Sequence, residues 1–532
     1  MNYKLSEIAE AVGGRLICGD PETVIENVST NSRVMRRGDI FIPVIGEKVD
    51  AHRFLAGAFK SGAAAAFSME HDDEESLKND PRYDGYFGSG EHPVIRVDDS
   101  VPALQRLALY HRSGIIKDIP LIGVTGSVGK TTTREMIAAA LSSCRKTFKT
   151  SGNQNSQIGL PVTLLQISND YELGVIELGM SMPGEMTKIS RLACLNAAVI
   201  TNIGVSHLAQ LGSQENILIE KLHILDGMKG ESIKLFLNGN DNILKNVTED
   251  VIHGYGIAVD KHIDISFFGT GENAEIRAEC IRSEGGFMRF RVRFYDRKAL
   301  EEYWKKRSEG PVADAAGIMR MAVEPGWLRE CEIRLSVMGE HMMLNALSAM
   351  AAADFFGLDI YAAARALSYF GGCDSRGEIL NAGGILLIND CYNAAPDSVK
   401  AGLKVLSGIN VRGHRIAVLA DMLELGDNEA AFHEEVGSFI AEAGNIDDVL
   451  LYGKLSENIR TGIEKAYACK NEGQAGASVN IRHFDALEEL TAYFLQIVHS
   501  GDAVLVKGSN GMKLSALVNA FKEEYKTPLD VR

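Results

Sequence analysis

The apolar positions near the start of the chain recur at helical spacing. Leu5, Ile8, Ala9 and Val12 fall on one face of a helix, and Gly13 follows them directly. Because glycine readily adopts the left-handed conformation that ends many helices, this pattern predicts a short helix that stops at Gly13.

Short continuous apolar runs of strand length dominate the pattern further along. Four of them lie between residues 120 and 239: PLIGV, LGVIEL, AAVITNI and IKLFLNG. Four more lie between residues 384 and 509: GILLIND, RIAVLAD, DVLLYG and DAVLVKGS. Helical stretches separate the runs, as is typical of mostly parallel sheets with helices on both faces. The pattern therefore predicts an α/β protein with two open sheets, preceded by a smaller α/β region that contains GDIFIPVIGE.

Shifts in composition indicate where the domains join. The polar residues 69–93 are expected to form a surface excursion, and the charged residues 294–310 a surface insertion. At roughly 100 to 200 residues per domain, 532 residues favour about three domains. We expect these to span residues 1–98, 99–370 and 371–532.

Composition and charge exclude several classes of protein. The 71 acidic residues against 55 basic ones give a formal charge of -16, which disfavours a general nucleic-acid or anionic-membrane surface. The first residues lack a signal-peptide pattern, and no apolar run approaches the roughly 20 residues that span a bilayer. The eight cysteines include no CxxC pair. We therefore expect a cytoplasmic protein with reduced cysteines and no membrane insertion, in which local groups must hold any anionic ligand.

The segment GVTGSVGKTTTREM, residues 123–136, has the character of a phosphate-binding loop. An apolar run precedes it and a helical run follows it, which is the context that such a loop requires. Its glycines let backbone amides face a phosphate, Lys130 can neutralise phosphate charge, and Thr131 can offer a hydroxyl to Mg²⁺. In the motif GxxxxGK[ST], however, Val124 occupies the place of the first glycine. The alternative is a glycine turn that merely joins a strand to a helix.

Two further side chains follow predicted strands at the same edge of the sheet. Glu177 ends the run LGVIEL, and His207 follows AAVITNI. Ligands of open α/β sheets bind at the carboxyl ends of the strands, so a carboxylate and an imidazole there can complete a metal site. A solvated glutamate and a helix-capping histidine are the simpler alternatives.

The loop resembles that of the Mur ligases, which join amino acids or peptides to UDP-N-acetylmuramoyl precursors of peptidoglycan. Their loop has the form TGTxGKT[TS], so the missing glycine at Val124 is the family's own spacing. Seven residues match this form, with serine in place of its middle threonine: Thr125, Gly126, Ser127, Gly129, Lys130, Thr131 and Thr132.

Other motifs extend the resemblance over nearly the whole chain. STNSRVMRRGDIFIPVIGEKVDAHRF is similar to the family's uridine-nucleotide module. TSGNQNSQIGLPVTLL, NDCYNAAPDSV and LADMLELG are similar to segments of the branch that adds D-alanyl-D-alanine. The resemblance implies the substrates UDP-N-acetylmuramoyl-tripeptide, D-alanyl-D-alanine and ATP, and a carboxylate activated as an acyl phosphate.

Residue roles follow from the same resemblance. Lys130 would hold the β- and γ-phosphates, Thr131 and Glu177 one Mg²⁺, and His207 the other, with Lys221 as a carbamylated supporting residue. The catalytic candidates are thus Lys130, Glu177, His207 and Lys221. Further ATP contacts implied are Asn238 at adenine, Arg376 at the phosphates and Asp390 at the ribose. The implied substrate-binding residues are Ser32, Arg33, Asn153, Asn155, Tyr392, Asn393, Ser398 and Lys507.

Some positions depart from the family pattern, and other functions stay open. His223 stands where the family usually has glutamate, Met342 where it has asparagine, and Asn510 where it has arginine. The alternatives are another Mur-type ligase that adds a single amino acid, a folate enzyme that adds glutamate, or a catalytically silent nucleotide-binding regulator. YNAAP and the uridine module disfavour the folate enzyme. We expect a monomer whose C-terminal domain closes over ATP.

Overall fold

The computed structural model describes most of the chain. The described residues are 1–46, 48–83, 85–88, 92–257, 259–284, 287–308, 312–313, 319–320, 326–373, 375–470 and 479–525. Three mostly parallel sheets with flanking helices follow one another along the chain, which confirms the predicted α/β class.

The first sheet has five strands and a small two-stranded companion. Its strands lie in the order β2-β7-β6-β5-β4, and β1 pairs with β3. The elements are β1 (Tyr3–Lys4), α1 (Leu5–Val12), β2 (Arg15–Cys18), β3 (Val24–Ile25), β4 (Asn27–Ser29), β5 (Asp39–Phe41), α2 (Leu55–Lys60), β6 (Ala65–Ser68), α3 (Glu74–Lys78) and β7 (Val94–Arg96). Helix α1 buries its four predicted apolar residues and ends at Gly13, whose φ is 62°.

The second sheet has nine strands in the order β18-β15-β14-β13-β12-β11-β8-β10-β9. Its strands, with the short pair β16 and β17, are β8 (Leu121–Thr125), β9 (Thr147–Lys149), β10 (Leu173–Glu177), β11 (Ala197–Ile200), β12 (Ser232–Asn238), β13 (His262–Gly269), β14 (Ile276–Glu284), β15 (Phe287–Phe294), β16 (Val312–Ala313), β17 (Met319–Arg320) and β18 (Arg329–Leu335). The six strands β8 to β13 run parallel to one another. By contrast, β15 pairs antiparallel with both β14 and β18.

Ten helices of the described residues accompany this sheet. They are α4 (Ser100–Ser113), α5 (Lys130–Ser142), α6 (Gly159–Leu165), α7 (Glu185–Ala193), α8 (Leu208–Leu211), α9 (Gln214–Leu222), α10 (Glu249–Gly254), α11 (Arg297–Ser308), α12 (Glu340–Phe355) and α13 (Ile360–Ser368). Helices α5, α12 and α13 pack on one face, and α4, α6 and α7 pack together on the other. The segment expected to be a surface insertion, residues 294–310, contains α11.

The third sheet has six strands in the order β19-β20-β24-β21-β22-β23. The elements are β19 (Glu378–Ala382), β20 (Ile385–Asp390), α14 (Pro396–Gly408), β21 (Arg415–Ala420), α15 (Glu429–Ala443), β22 (Asp448–Tyr452), α16 (Glu457–Lys470), β23 (Asn480–Phe484), α17 (Leu487–Ile497), β24 (Ala503–Lys507) and α18 (Ser515–Glu524). All neighbours are parallel except β19 and β20. Among the described helices of the whole chain, none has the length and apolar character needed to cross a membrane.

Candidate active site

The phosphate loop runs from Gly126 to Gly129, between the end of β8 and the start of α5. Both glycines have positive φ angles, 151° and 84°. A Cβ atom on Gly126 would lie 1.9 Å from Oγ1 of Thr201, so the loop requires glycine there. Val124 lies inside β8, where it is buried and paired with β10 and β11. The position that carries glycine in the general motif is a strand residue here, which explains the spacing.

The end of β11 holds the loop in shape. Backbone amides of Ser127 and Val128 donate to the carbonyl and the side-chain oxygen of Asn202, at 3.0 and 2.9 Å. Thr201 Oγ1 donates to the Val128 carbonyl at 2.6 Å. These bonds fix the loop from the side of the sheet.

The first turn of α5 and Lys130 provide positive charge at the loop. No side chain of the described residues caps this turn, so its amide groups stay available to an anion. Lys130 Nζ donates to the carbonyls of Gly126 and Ser127 at 2.7 and 3.2 Å. Burial lowers the pKa of Lys130, while Glu177 opposes that shift. A phosphate bound here would meet both the helix amides and this ammonium group.

Glu177 lies at the centre of a buried polar cluster beside the loop. Its side chain is buried, with 2% of the residue exposed. Glu177 Oε2 accepts from Thr131 Oγ1 at 3.0 Å and from Arg134 Nη1 at 2.9 Å. Glu177 Oε1 accepts from Asn155 Nδ2 at 2.7 Å. The structure thus brings together three residues that the sequence indicated, and adds Arg134, which it did not.

His207 and Lys221 are two further predicted residues, and both interact electrostatically with Lys130 of the loop. Burial first, and then the charges of Lys130 and Lys221, lower the pKa of His207 to about 4, while Glu185 opposes the shift. His207 takes the cap position of α8 with a φ of 63°, yet its side chain does not bond the helix amides there. Burial first, and then Lys130, brings the pKa of Lys221 well below its ordinary value. Burial therefore disfavours the charged form of both groups.

His223, which replaces the family's usual glutamate, pairs with an acid of its own turn. Its Nδ1 lies 3.0 Å from Oδ2 of Asp226, and this bond raises the pKa of His223. The nearby Glu220 accepts from the backbone amides of Gly184 and Met186, at 2.9 Å each. His223 thus stabilises the turn that follows α9, and Glu220 connects α9 to the start of α7.

Three predicted residues meet where the second and third sheets face each other. Asn153 Nδ2 donates to the hydroxyl of Tyr392. The Arg376 guanidinium lies 3.6 Å from the centre of the Tyr392 ring, close enough for a cation–π contact. Thr132 Oγ1 lies 3.9 Å from Sγ of Cys373 nearby. Residues from both sides of this cleft are therefore in direct contact.

The remaining predicted residues of the third sheet bond within that sheet's own loops. Lys507 Nζ lies 2.5 Å from Oδ2 of Asp390 and donates to the Asn393 carbonyl at 3.1 Å. Ser398 Oγ donates to the Ala395 carbonyl and accepts from its amide, at 2.8 and 3.0 Å. Lys507 is buried, so it supports Asp390 and the YNAAP loop from within.

Two asparagine side chains near the loop, Asn238 and Asn345, make different hydrogen bonds. Asn238, implied to meet adenine, donates to the Thr201 carbonyl at 2.9 Å and accepts from the Asn240 amide at 2.9 Å. Its amide group is therefore engaged within the chain. Asn345 accepts from Thr133 Oγ1 at 2.9 Å and lies beside Gly129. Asn345 was not among the residues singled out from the sequence.

Ser32 and Arg33 lie in the loop between β4 and β5 of the first sheet. Arg33 is exposed, and its backbone amide donates to Asn31 Oδ1 at 3.1 Å. Within the described residues, no hydrogen bond or ion pair links either residue to the phosphate-loop cluster. Their implied contact with a UDP-sugar stays a prediction.

The first sheet also contains clustered acids and histidines that could ligate a metal. Glu70 lies in two such groups, one with Asp50 and His52, the other with His71 and Asp80. The Arg82 guanidinium lies 2.5 Å from a carboxylate oxygen of Glu70 and 2.5 Å from one of Asp80. Because this cation already neutralises both acids, we assign no metal there.

Comparison with solved structures finds the same fold in other proteins. A crystal structure of MurF from Acinetobacter baumannii superposes with a TM-score of 0.77 at 24% identity, covering 98% of this chain and 99% of that one. MurF ligase from Thermotoga maritima in complex with ADP superposes with a TM-score of 0.71 at 23% identity, covering 94% and 98%. At these identities the likeness establishes the fold.

Comparison of sequences goes further. The Mur ligase middle domain matches residues 124–353, and the Mur ligase, glutamate ligase domain matches residues 375–510. The UDP-N-acetylmuramoyl-tripeptide–D-alanyl-D-alanine ligase of Bacillus subtilis (strain 168) is 33% identical over 527 residues, 99% of either chain. The enzyme of the same name from Escherichia coli (strain K12) is 28% identical over 528 residues, 98% of this chain and 99% of its own. The chain belongs to the Mur ligase family.

Proposed function

We propose that the chain joins D-alanyl-D-alanine to a UDP-N-acetylmuramoyl-tripeptide at the expense of ATP. The observation that carries this function is the match over 99% of the chain to a relative named for that reaction, at 33% identity. The polar cluster at the phosphate loop supplies the groups that such chemistry needs. The product is the pentapeptide precursor of peptidoglycan.

The reaction divides into two steps because a carboxylate and an amine do not condense in water unaided. A carboxylate oxygen of the tripeptide attacks the γ-phosphorus of ATP, and the bond from that phosphorus to the β-phosphate oxygen breaks. The dipeptide amine then attacks the acyl carbon, loses a proton and expels phosphate. Lys130 and the amides of α5 stabilise the charge that accumulates on the transferred phosphate.

The residues beside the loop fit Mg²⁺. Thr131 and Glu177 present hard oxygen donors, and His207 keeps a free lone pair because its pKa lies at about 4. Thr131 and Glu177 would hold one ion and His207 another. Bound there, Mg²⁺ supplies charge neutralisation along the phosphates.

Lys221 is proposed to carry a carbamate. An uncharged amine adds to CO₂ and loses a proton, which converts the side chain into an anion that can support a metal ion. Burial that lowers the pKa of Lys221 favours the reactive amine. Electron density that shows a bare amine at Lys221 in a complex loaded with Mg²⁺ and nucleotide would contradict the modification.

The remaining substrate contacts are proposed from their positions. Ser32 and Arg33 would meet the UDP-sugar on a domain of residues 1–98, while Asn153 and Asn155 meet the peptide. Arg376 and Asp390 would reach ATP from a domain of residues 371–532, which closes on the central residues 99–370 and excludes water. In that domain the dipeptide would meet Tyr392, Asn393, Ser398 and Lys507.

The setting of the reaction is part of the proposal. Because ATP is supplied in the cytoplasm, we propose that compartment. We also propose that the active form is a monomer.

One assay tests the function directly. The chain is supplied with ATP, Mg²⁺, UDP-N-acetylmuramoyl-tripeptide and D-alanyl-D-alanine, and phosphate release is followed. Release is expected to depend on every component and to yield the pentapeptide by mass spectrometry. Turnover that is unchanged without the dipeptide, or equal with single amino acids, would point to another ligase. A nucleotide-binding regulator would bind ATP and release no phosphate.

A further inference from the structure

Arg134 is a buried arginine at the middle of the cluster that binds three elements together. It lies on α5, one turn after the phosphate loop, and 2% of it is exposed. Its Nη1 donates to the Gly152 carbonyl at 2.8 Å and to Glu177 Oε2 at 2.9 Å. Its Nε and Nη2 donate to Glu135 Oε1 at 3.2 and 2.7 Å. One guanidinium thus connects α5, the end of β10 and the segment 151–155.

The bonds to Glu177 fix the direction of its carboxylate. Oε2 accepts hydrogen bonds from Thr131 and Arg134, and Oε1 accepts one from Asn155. A guanidinium holds its donors in a rigid planar fork, so Arg134 can contact the carboxylate and the Gly152 carbonyl only when both lie in one arrangement. The position of Glu177 and that of segment 151–155 are therefore set by the same side chain.

Asn153 and Asn155 lie on this segment, within three residues of Gly152. Asn155 bonds Glu177, and Asn153 bonds Tyr392 across the cleft. Segment 151–155 thus joins the carboxylate proposed for Mg²⁺ to the residues proposed for the substrates. Through Gly152, Arg134 ties that segment to α5, the helix that follows the phosphate loop.

We propose that Arg134 is a positioning residue that aligns Glu177 and segment 151–155 with the phosphate loop, so that the metal–nucleotide site is formed in advance. The inference rests on the proposed function, in which Glu177 is a Mg²⁺ ligand. Arg134 itself is oriented towards Glu177, Glu135 and Gly152, and its role is exerted through them. Nucleotide binding with Mg²⁺ depends on this alignment, whereas binding by Lys130 and the loop amides alone does not.

The test is the affinity for ADP, measured by calorimetry in Mg²⁺ and again in EDTA. Arg134→Lys keeps the charge and loses the fork, and Arg134→Gln keeps amide donors and loses the charge. We expect either variant to weaken ADP binding about tenfold in Mg²⁺, ~1.4 kcal/mol, and to leave binding in EDTA within about twofold. Having two variants protects the test against one that fails to fold.

Arg112 offers a matched control in the same domain. It is 1% exposed and donates to the carbonyls of Ala193 and Cys194 at 2.9 Å each, and also to that of Ile116. Arg112→Lys therefore also removes a buried guanidinium fork, but away from the cluster. We expect it to lower thermal stability without changing the ratio of the two affinities.

Glu177→Gln separates the inference from the function on which it rests. Mg²⁺ is expected to increase the affinity for ADP. If Glu177→Gln loses this increase while both Arg134 variants keep it, Glu177 retains its role and the inference for Arg134 is wrong. If the Arg134 variants weaken binding equally in Mg²⁺ and EDTA, or if Arg112→Lys shows the same selective loss, Arg134 is merely structural. If the wild type binds ADP equally well in Mg²⁺ and in EDTA, both the proposed metal site and the inference for Arg134 are wrong.

Discussion

At the residue scale, the charges beside the phosphate loop are unequal. Burial lowers the pKa of Lys130, His207 and Lys221. For Lys130, Glu177 opposes that shift, and its Nζ is bonded to two loop carbonyls. Three full cations packed together would repel one another strongly. A cation at Lys130 can accept an anionic phosphate, while burial disfavours the charged forms of His207 and Lys221. Lys130 is therefore the residue whose charge matters most for phosphate transfer.

Lys130→Met tests this directly. The substitution keeps the length of the side chain and removes its charge, so we expect kcat for phosphate release to decrease by about a hundredfold or more. Among the described residues no carboxylate lies within ion-pair distance of Lys130, so folding should be little affected, as judged from the thermal midpoint. Lys146→Met, at an exposed lysine, is the control and should retain full activity. Comparable turnover in the two variants would contradict the role of Lys130.

At the element scale, α4 joins the first strand of the chain to the central sheet. His111, on α4, is fully buried, with Nδ1 2.8 Å from Tyr3 Oη and Nε2 2.8 Å from the Ile167 carbonyl. The carbonyl can only accept, so Nε2 carries the proton and Nδ1 accepts from the tyrosine. Burial raises the pKa of Tyr3 to about 12 and lowers that of His111. A second proton on His111 would place a charge in this buried site and would require Nδ1 to donate to the tyrosine oxygen instead.

The sign of the resulting pH dependence follows from the lowered pKa. As pH falls below the ordinary histidine value of 6.5, the unfolded chain takes up a proton at His111 that the folded chain resists. This contribution to the free energy of unfolding is present above that pH and is lost as pH falls. We expect His111→Gln to have a lower free energy of unfolding than the wild type at pH 7.5. Between pH 7.5 and pH 5.5 that free energy should decrease less in the variant than in the wild type, as measured by urea unfolding. An equal slope in His111→Gln and the wild type would refute the assignment.

The extension of the central sheet shows what the sequence pattern can reveal and what it leaves hidden. The run FMRFRVRF alternates apolar and basic residues, and in β15 its Met288, Phe290, Val292 and Phe294 are buried. We predicted the continuous apolar strands of the parallel core and missed this alternating one. The fork of Arg134 could not be predicted, because Glu177 lies 43 positions away and only the folded sheet brings the two together.

At the scale of the whole molecule, few hydrogen bonds and ion pairs among the described residues cross the boundary from the second sheet and its helices to the third. Asn153 bonds Tyr392, and Lys404 Nζ lies 3.5 Å from Glu340 Oε2, an exposed pair that contributes little stability. A cavity of about 440 Å³ separates the start of α12 from α14 along the same boundary. A boundary of this kind favours movement of the third domain relative to the second. The sequence predicted the residues on each side, but their pairing depends on how the two domains dock.

Tyr392→Phe tests whether this pairing helps the domains to close. The variant keeps the ring beneath Arg376 and loses the hydroxyl that accepts from Asn153. Because one hydrogen bond contributes about 0.5–1.5 kcal/mol, we expect kcat to fall by roughly three- to tenfold with the affinity for ADP nearly unchanged. Small-angle scattering should show a larger radius of gyration in the nucleotide complex of the variant than in that of the wild type. Tyr369→Phe, at a tyrosine that is 89% exposed, should match the wild type in both measurements. If Tyr392→Phe closes and turns over as the wild type does, the contact between Asn153 and Tyr392 has no part in closure.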